Sequence, residues 1–454
     1  MRSRTVLLIV AAAVLIAGGV GAAGYYLIVP GGRQLTLEIP RTSHSCWLPW
    51  NATEASLTDT AESKASPPQG DEPSPQWSRA FDQIAEDVER VRGLKFSEPV
   101  RRLVMSPEQM SEYVRKSFEG ESDREAFQRA EDVLKYLALL PVELDLAGEL
   151  GDAFGGQVAG FYDDESKVLV VRTDLGSPQS PVTRSVIAHE LVHALDDQHF
   201  NLQAMGEPAK EVGRSDEALA IDAVVEGVAM LASLEYLRLS YDMPDNAEIF
   251  DQLATAMKGQ SDASIPLYIS EHMMFPYASG GKFVSETHRT GGWDAVNALY
   301  RDPPKSTAEI VHPDRSSHPR WVPDTVRVGG VTETIESIRG ERWFQFGEGV
   351  MGEYDISLLL NSAEITNVAS AVDGWRGDWY RYVGCVNQRL FAAEYSLATE
   401  ADASELGNAL DIWGSRWASQ DPAGGRTWVV VSEGRSVTMV IGGDKEIATQ
   451  VSAR

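Results

Sequence analysis

Ten residues constrain this protein most. Val186-Ile187-Ala188-His189-Glu190-Leu191-Val192-His193-Ala194-Leu195 is apolar except for two histidines and a glutamate. Ser180-Pro181 upstream supplies an N-cap and a proline at the first helical position, so a helix is expected from there to about His199. Val186, Ile187, Leu191, Val192 and Leu195 demand burial of that helix. Spacing of four puts His189 and His193 on one face, one turn apart, where both imidazoles can reach one zinc ion. Glu190 lies beside them, where it can accept a proton from water.

A catalytic zinc takes three protein ligands. The HExxHxxGxxH pattern is not met, because Asp196 stands where it has glycine. The next helix, from about Ser215-Asp216 to Leu239, offers Glu217, Asp222 and Glu226. Glu226 sits in Ala223-Val224-Val225-Glu226-Gly227-Val228-Ala229, and a carboxylate buried there must be paired or metal-bound. Glu226 is therefore the expected third ligand. Asp222 and Asp197 are expected candidates to orient a histidine, although a solvated helix end explains Asp197 as well.

At the N-terminus, Arg2 and Arg4 precede an uncharged run from Thr5 to Val29. As a helix it spans roughly 37 Å, enough for a hydrocarbon core of about 30 Å. The basic flank favours a cytoplasmic N-terminus. Residues 1–30 are thus expected to form a single-pass signal anchor with the rest extracytoplasmic. A cleavable signal peptide, cut near Gly21-Ala22-Ala23-Gly24, is the alternative. Residues 31–75, rich in Pro, Ser and acidic residues, read as a disordered stalk.

Beyond the stalk the pattern is α+β. Residues 76–340 read as a mostly helical catalytic domain, with a hairpin of strands at Gln157–Tyr162 and Lys167–Arg172 as a small edge sheet. Residues 264–325 read as mixed helix and loop. Residues 341–454 read as a C-terminal α+β module with an antiparallel sheet. With 40 basic against 67 acidic residues the net charge is −27, which argues against a nucleic-acid partner. Cys46 and Cys385 are too few for a disulfide scaffold or a metal site, and whether they pair stays open.

The HExxH helix followed by a helix with Glu226-Gly227-Val228-Ala229 resembles the gluzincin group of zinc peptidases, of which thermolysin is the familiar member. A closer resemblance is to bacterial and archaeal metallopeptidases of unassigned substrate. It is carried by Ala159-Gly160-Phe161-Tyr162-Asp163, the HExxH segment, Phe275-Pro276-Tyr277, residues 306–313 and Gly374-Trp375-Arg376-Gly377-Asp378. It runs from about residue 90 into the C-terminal module. Those sequences often carry aspartate where Val228 stands. The resemblance implies a zincin-like catalytic fold and a cleft-edging strand that pairs with extended substrate, for which Lys167–Arg172 is the natural candidate. It also implies a Tyr or His that stabilises an oxyanion, with His312 the first choice and Tyr277 and His272 weaker ones.

The resulting expectation is a membrane-anchored zinc metallopeptidase acting on protein or peptide substrates, with Glu190 as general base. Two rivals are an exported zinc-binding envelope protein without catalysis and a zinc amidase acting on cell-wall amide bonds. The first lacks the Cys/His set of a closed structural site.

Overall fold

A computed structural model describes residues 67–453 except 119–120, 151–157, 207, 209–210, 242–245, 247–265, 317–321, 341–342, 386–387, 422–424 and 443–444. The proposed anchor, most of the stalk and Cys46 lie outside the described residues. Among the described residues no helix is long and apolar enough to cross a membrane.

The protein is a mixed α+β structure. Helix α1 (Pro75–Arg92) leads into strand β1 (Arg101–Met105), followed by α2 (Pro107–Phe118) and α3 (Glu121–Tyr136). Strands β2 (Gly160–Asp163) and β3 (Val168–Arg172) form an antiparallel hairpin. Strand β1 adds to β3 in parallel, giving a three-stranded sheet in the order β1-β3-β2. The C-terminal end of the expected stalk is folded: Asp71 exchanges backbone hydrogen bonds of 2.9 Å with Val104.

One long helix lies against β2 and β3 of this sheet. Helix α4 (Pro181–Phe200) starts as the sequence predicts, with the Ser180 hydroxyl accepting from the Thr183 amide at 3.1 Å. It is buried through nearly its whole middle, Val186 to Asp197. Helix α5 (Ser215–Arg238) follows, and α6 (Leu267–Arg301) packs along it. The described residues of 264–325 are helix and loop, as expected, and α6 itself is two helices joined across a kink. Pro276 and the pair Gly280-Gly281 argue locally against a helix before that kink. Burial of Phe275, Tyr277, Phe283 and Val284 overrides that preference. The span bends at Gly292, whose φ is 63°.

Short helix α7 (Thr307–Val311) precedes the C-terminal sheet. That sheet has the order β4-β5-β6-β8-β7, built from β4 (Phe344–Gly349), β5 (Trp375–Cys385), β6 (Gln388–Leu397), β7 (Trp428–Glu433) and β8 (Ser436–Gly442). All its neighbours are antiparallel. Helix α8 (Gly352–Ser362) and helix α9 (Glu400–Ser419), which carries a Thr399–Asp402 capping box, are the longest helices of the module. The core does not divide at residue 340. One apolar cluster joins Leu103, Met110 and Val170 to Ile356, Trp375, Tyr395 and Trp413.

Candidate metal centre

Helices α4 and α5 bring the expected ligands together. His189 Nε2 lies 3.1 Å from Glu226 Oε2 and 3.1 Å from His193 Nε2, and His193 Nε2 lies 3.5 Å from the same carboxylate oxygen. The three are buried, and they are the one cluster among the described residues whose ligand atoms converge closely enough for a metal ion. A tetrahedral ion with bonds of about 2.1 Å holds its ligand atoms about 3.4 Å apart. The observed triangle matches that edge on all three sides, so the donor set fits a metal ion without rearrangement.

The electrostatics agree. Burial alone would raise Glu226, yet the charge on His193 and hydrogen bonds from both imidazoles hold it down at about 2. Burial would depress His193, but the Glu226 carboxylate outweighs it and lifts the imidazole to about 9. His189 is lowered because its burial is complete. A proton on His193 thus balances Glu226 where a metal cation would otherwise do so.

The position of Glu226 depends on the residue after it. A Cβ built on Gly227 would stand 2.5 Å from the carbonyl carbon and oxygen of Gly280 on α6, and one on Gly280 would meet the backbone of Ala223. Helices α5 and α6 therefore cross backbone to backbone at this pair. The crossing also lands Tyr277, one turn before Gly280, on the site. The Tyr277 ring stacks near His189 with centroids 6.4 Å apart, and its hydroxyl donates to Glu226. Val228 is fully buried among apolar neighbours and takes no part.

Glu190 is the fourth buried polar side chain of the centre and is not a ligand in the triangle. It is 1% exposed and its Oε1 has no hydrogen-bond partner among the described residues. Burial pushes its carboxyl up to about 8, against the pull of His193 and of a hydrogen bond from the Tyr162 backbone N–H.

Other expected residues fall elsewhere. His312 caps the end of α7 and its Nε2 lies 2.5 Å from Glu353 Oε1, at the junction with α8. The structure brings Tyr277 rather than His312 to the metal ligands. His272 is buried, lowered by that burial to about 4, and faces Asp355 at 3.6 Å. Glu217 binds Arg214 and Lys305. Asp222, one turn before Glu226, is buried with Oδ2 unpartnered among the described residues. It does not orient His189, whose Nδ1 is likewise unpartnered there. Asp197 binds the β2–β3 hairpin instead of a histidine.

The cleft-edging strand is also reassigned. Strand β3, expected at the edge, is the central strand, and β2 is the edge on the Glu190 side. The Arg172 amide bonds the Ala159 carbonyl at 2.9 Å, so in this ladder Phe161 pairs inward while Gly160 and Tyr162 turn their backbone groups outward. Sequence spacing locates a hairpin, but the parallel addition of β1 to β3 is a long-range pairing with no local signal.

A buried ion pair escaped the sequence reading altogether. Arg92 of α1 donates to Asp196 Oδ1 at 2.6 and 3.1 Å, and the Tyr300 hydroxyl donates to Oδ2 at 2.8 Å. The pair ties α4 to α1 and α6 one turn beyond His193. Comparison with protein-family models, curated proteins and solved structures finds no match, so the chemistry of the centre rests on its own geometry.

Proposed function

We propose that the protein is a gluzincin-type zinc metallopeptidase that hydrolyses peptide bonds. The observation that carries the reading is Glu190: a buried carboxylate outside the ligand triangle, beside it, with one oxygen unpartnered among the described residues. His189, His193 and Glu226 would hold the ion. Bound there, zinc supplies a Lewis acid that polarises a carbonyl and brings the pKa of water toward about 7. The remaining work falls to the protein's own groups. Glu190 accepts a proton from water and passes it to the leaving amine, a role suited to a carboxyl lifted toward neutrality. The Tyr277 hydroxyl, which donates to Glu226 in this structure, would turn from it to donate to a developing oxyanion. The outward backbone of Gly160 and the Tyr162 carbonyl offer an extended peptide a strand to pair with, while the Tyr162 N–H is held by Glu190.

The topology follows from the sequence. Arg2, Arg4 and the run from Thr5 to Val29 support a single-pass anchor with the centre on the extracytoplasmic side. The experiment that tests the activity is Glu190→Gln. The variant should keep one zinc per molecule and an unchanged fold, and lose turnover by about 10²-fold or more. Turnover within a few-fold of the native protein removes Glu190 as the base.

A further inference from the structure

Tyr162 is held by α4 at two places. Its backbone N–H is hydrogen-bonded to the carboxylate of Glu190. Its hydroxyl donates to Asp197 Oδ2 at 2.8 Å. Glu190 and Asp197 are seven positions apart, about two helical turns, so the residue lies along one face of the helix. Asp197 is 5% exposed, and the hydrogen bonds its carboxylate accepts all serve this corner. Besides Tyr162, Lys167 Nζ, at the end of the hairpin turn, donates to Oδ2 at 2.6 Å, and the Leu202 amide donates to Oδ1 at 3.0 Å. Lys167 itself takes a left-handed backbone with φ of 57°, which turns its side chain back from the turn.

The two grips differ in kind. The Glu190 grip is a single backbone hydrogen bond to a carboxylate whose Oε1 is unpartnered among the described residues. Strand β2 is four residues long and pairs with β3 alone. Such an edge can pivot about its single ladder. The bonds to Asp197 are the polar tie that holds it to α4 independently of the base. We infer that Asp197 is a positioning residue for extended substrate. Through Tyr162 and Lys167 it sets the height of the β2 edge above Glu190 and the ligand triangle, and hence where a peptide paired to that edge places its scissile bond. This role rests on the peptidase reading above and concerns substrates long enough to lie along β2.

The test uses the zinc-loaded full-length protein in detergent, a mixture of unstructured ten-residue peptides, and a capped dipeptide amide too short to pair with β2. Asp197→Ala should retain zinc and lower kcat/KM on the long peptides about tenfold, mainly through KM, as expected for loss of hydrogen bonds to a charged group. The dipeptide rate should change less than about twofold. Asp197→Asn, which keeps one carbonyl acceptor, should recover part of the loss, and Tyr162→Phe should reproduce the loss on long peptides. Amide hydrogen exchange over residues 160–163 should quicken about tenfold in Asp197→Ala while residues 186–195 stay protected. Equal losses on both substrates, no loss on the long ones, or unchanged exchange in β2 would each overturn the inference. A zinc-loaded native protein that cleaves neither substrate would instead overturn the peptidase reading beneath it, and the exchange result would still report whether the clamp holds the strand.

Discussion

The crossing of α5 and α6 offers a stringent test because its two energetic terms oppose one another. Replacing Gly227 by alanine in a helix interior favours folding by about 1 kcal/mol through propensity alone. The added Cβ would stand 2.5 Å from the Gly280 carbonyl carbon and oxygen, where contact needs about 3.5 Å. Backbone atoms cannot swing aside, so the helices must part by roughly 1 Å, an overpacking that costs about 1–3 kcal/mol. The net loss of stability is therefore small, about 0–2 kcal/mol. The metal centre should respond more sharply. Glu226 precedes Gly227, and a ligand set tolerates displacements of only about 0.5 Å. Zinc affinity should fall at least about tenfold, or about 1.4 kcal/mol. Urea unfolding of the metal-free protein and competition titration with a zinc chelator measure the two quantities. Gly329→Ala, at a position with nothing within 4 Å of the new Cβ, is the control. A Gly227→Ala protein that is more stable by about 1 kcal/mol and binds zinc like the native protein would show that the helices do not meet there.

The ligand assignment predicts that His189→Ala, His193→Ala and Glu226→Ala each abolish zinc binding at ordinary concentrations, whereas Glu217→Ala does not; metal analysis after dialysis decides, and full occupancy in any of the first three refutes the triangle. Burial would raise Glu217, but hydrogen bonds from Arg214 and Lys305 outweigh it and leave its pKa below the usual glutamate value. The stability it contributes is then fully present above about pH 4.5 and lost as pH falls through the lowered folded value. The gap in unfolding free energy between the native protein and Glu217→Gln should accordingly be widest above about pH 5 and close in stronger acid; a gap independent of pH refutes the pairing. The full-length protein should sediment with membranes and resist salt and alkaline carbonate but not detergent, and release by salt alone would refute the anchor.

Much is legible along the sequence because it is written in local spacing. Four-residue separation places His189 and His193 on one face of any helix, and the apolar run around them demands that the helix be buried. Ser180-Pro181 starts it, and the two strand segments of the hairpin pair as expected. Glu226 is identifiable because a carboxylate in an apolar stretch needs a partner, and the pattern alone says so. What the tertiary structure decided are the relations that join distant segments. Tyr277 rather than His312 reaches the centre because Gly227 and Gly280 let two backbones touch, and nothing in either glycine's neighbourhood announces its partner. Strand β2 rather than β3 forms the edge because β1, more than fifty residues upstream, takes the other side of β3. Asp197 binds Tyr162 instead of a histidine because its direction from α4 depends on where the hairpin lies. Local periodicity records which way a side chain points from its own element; only packing between elements determines what it meets.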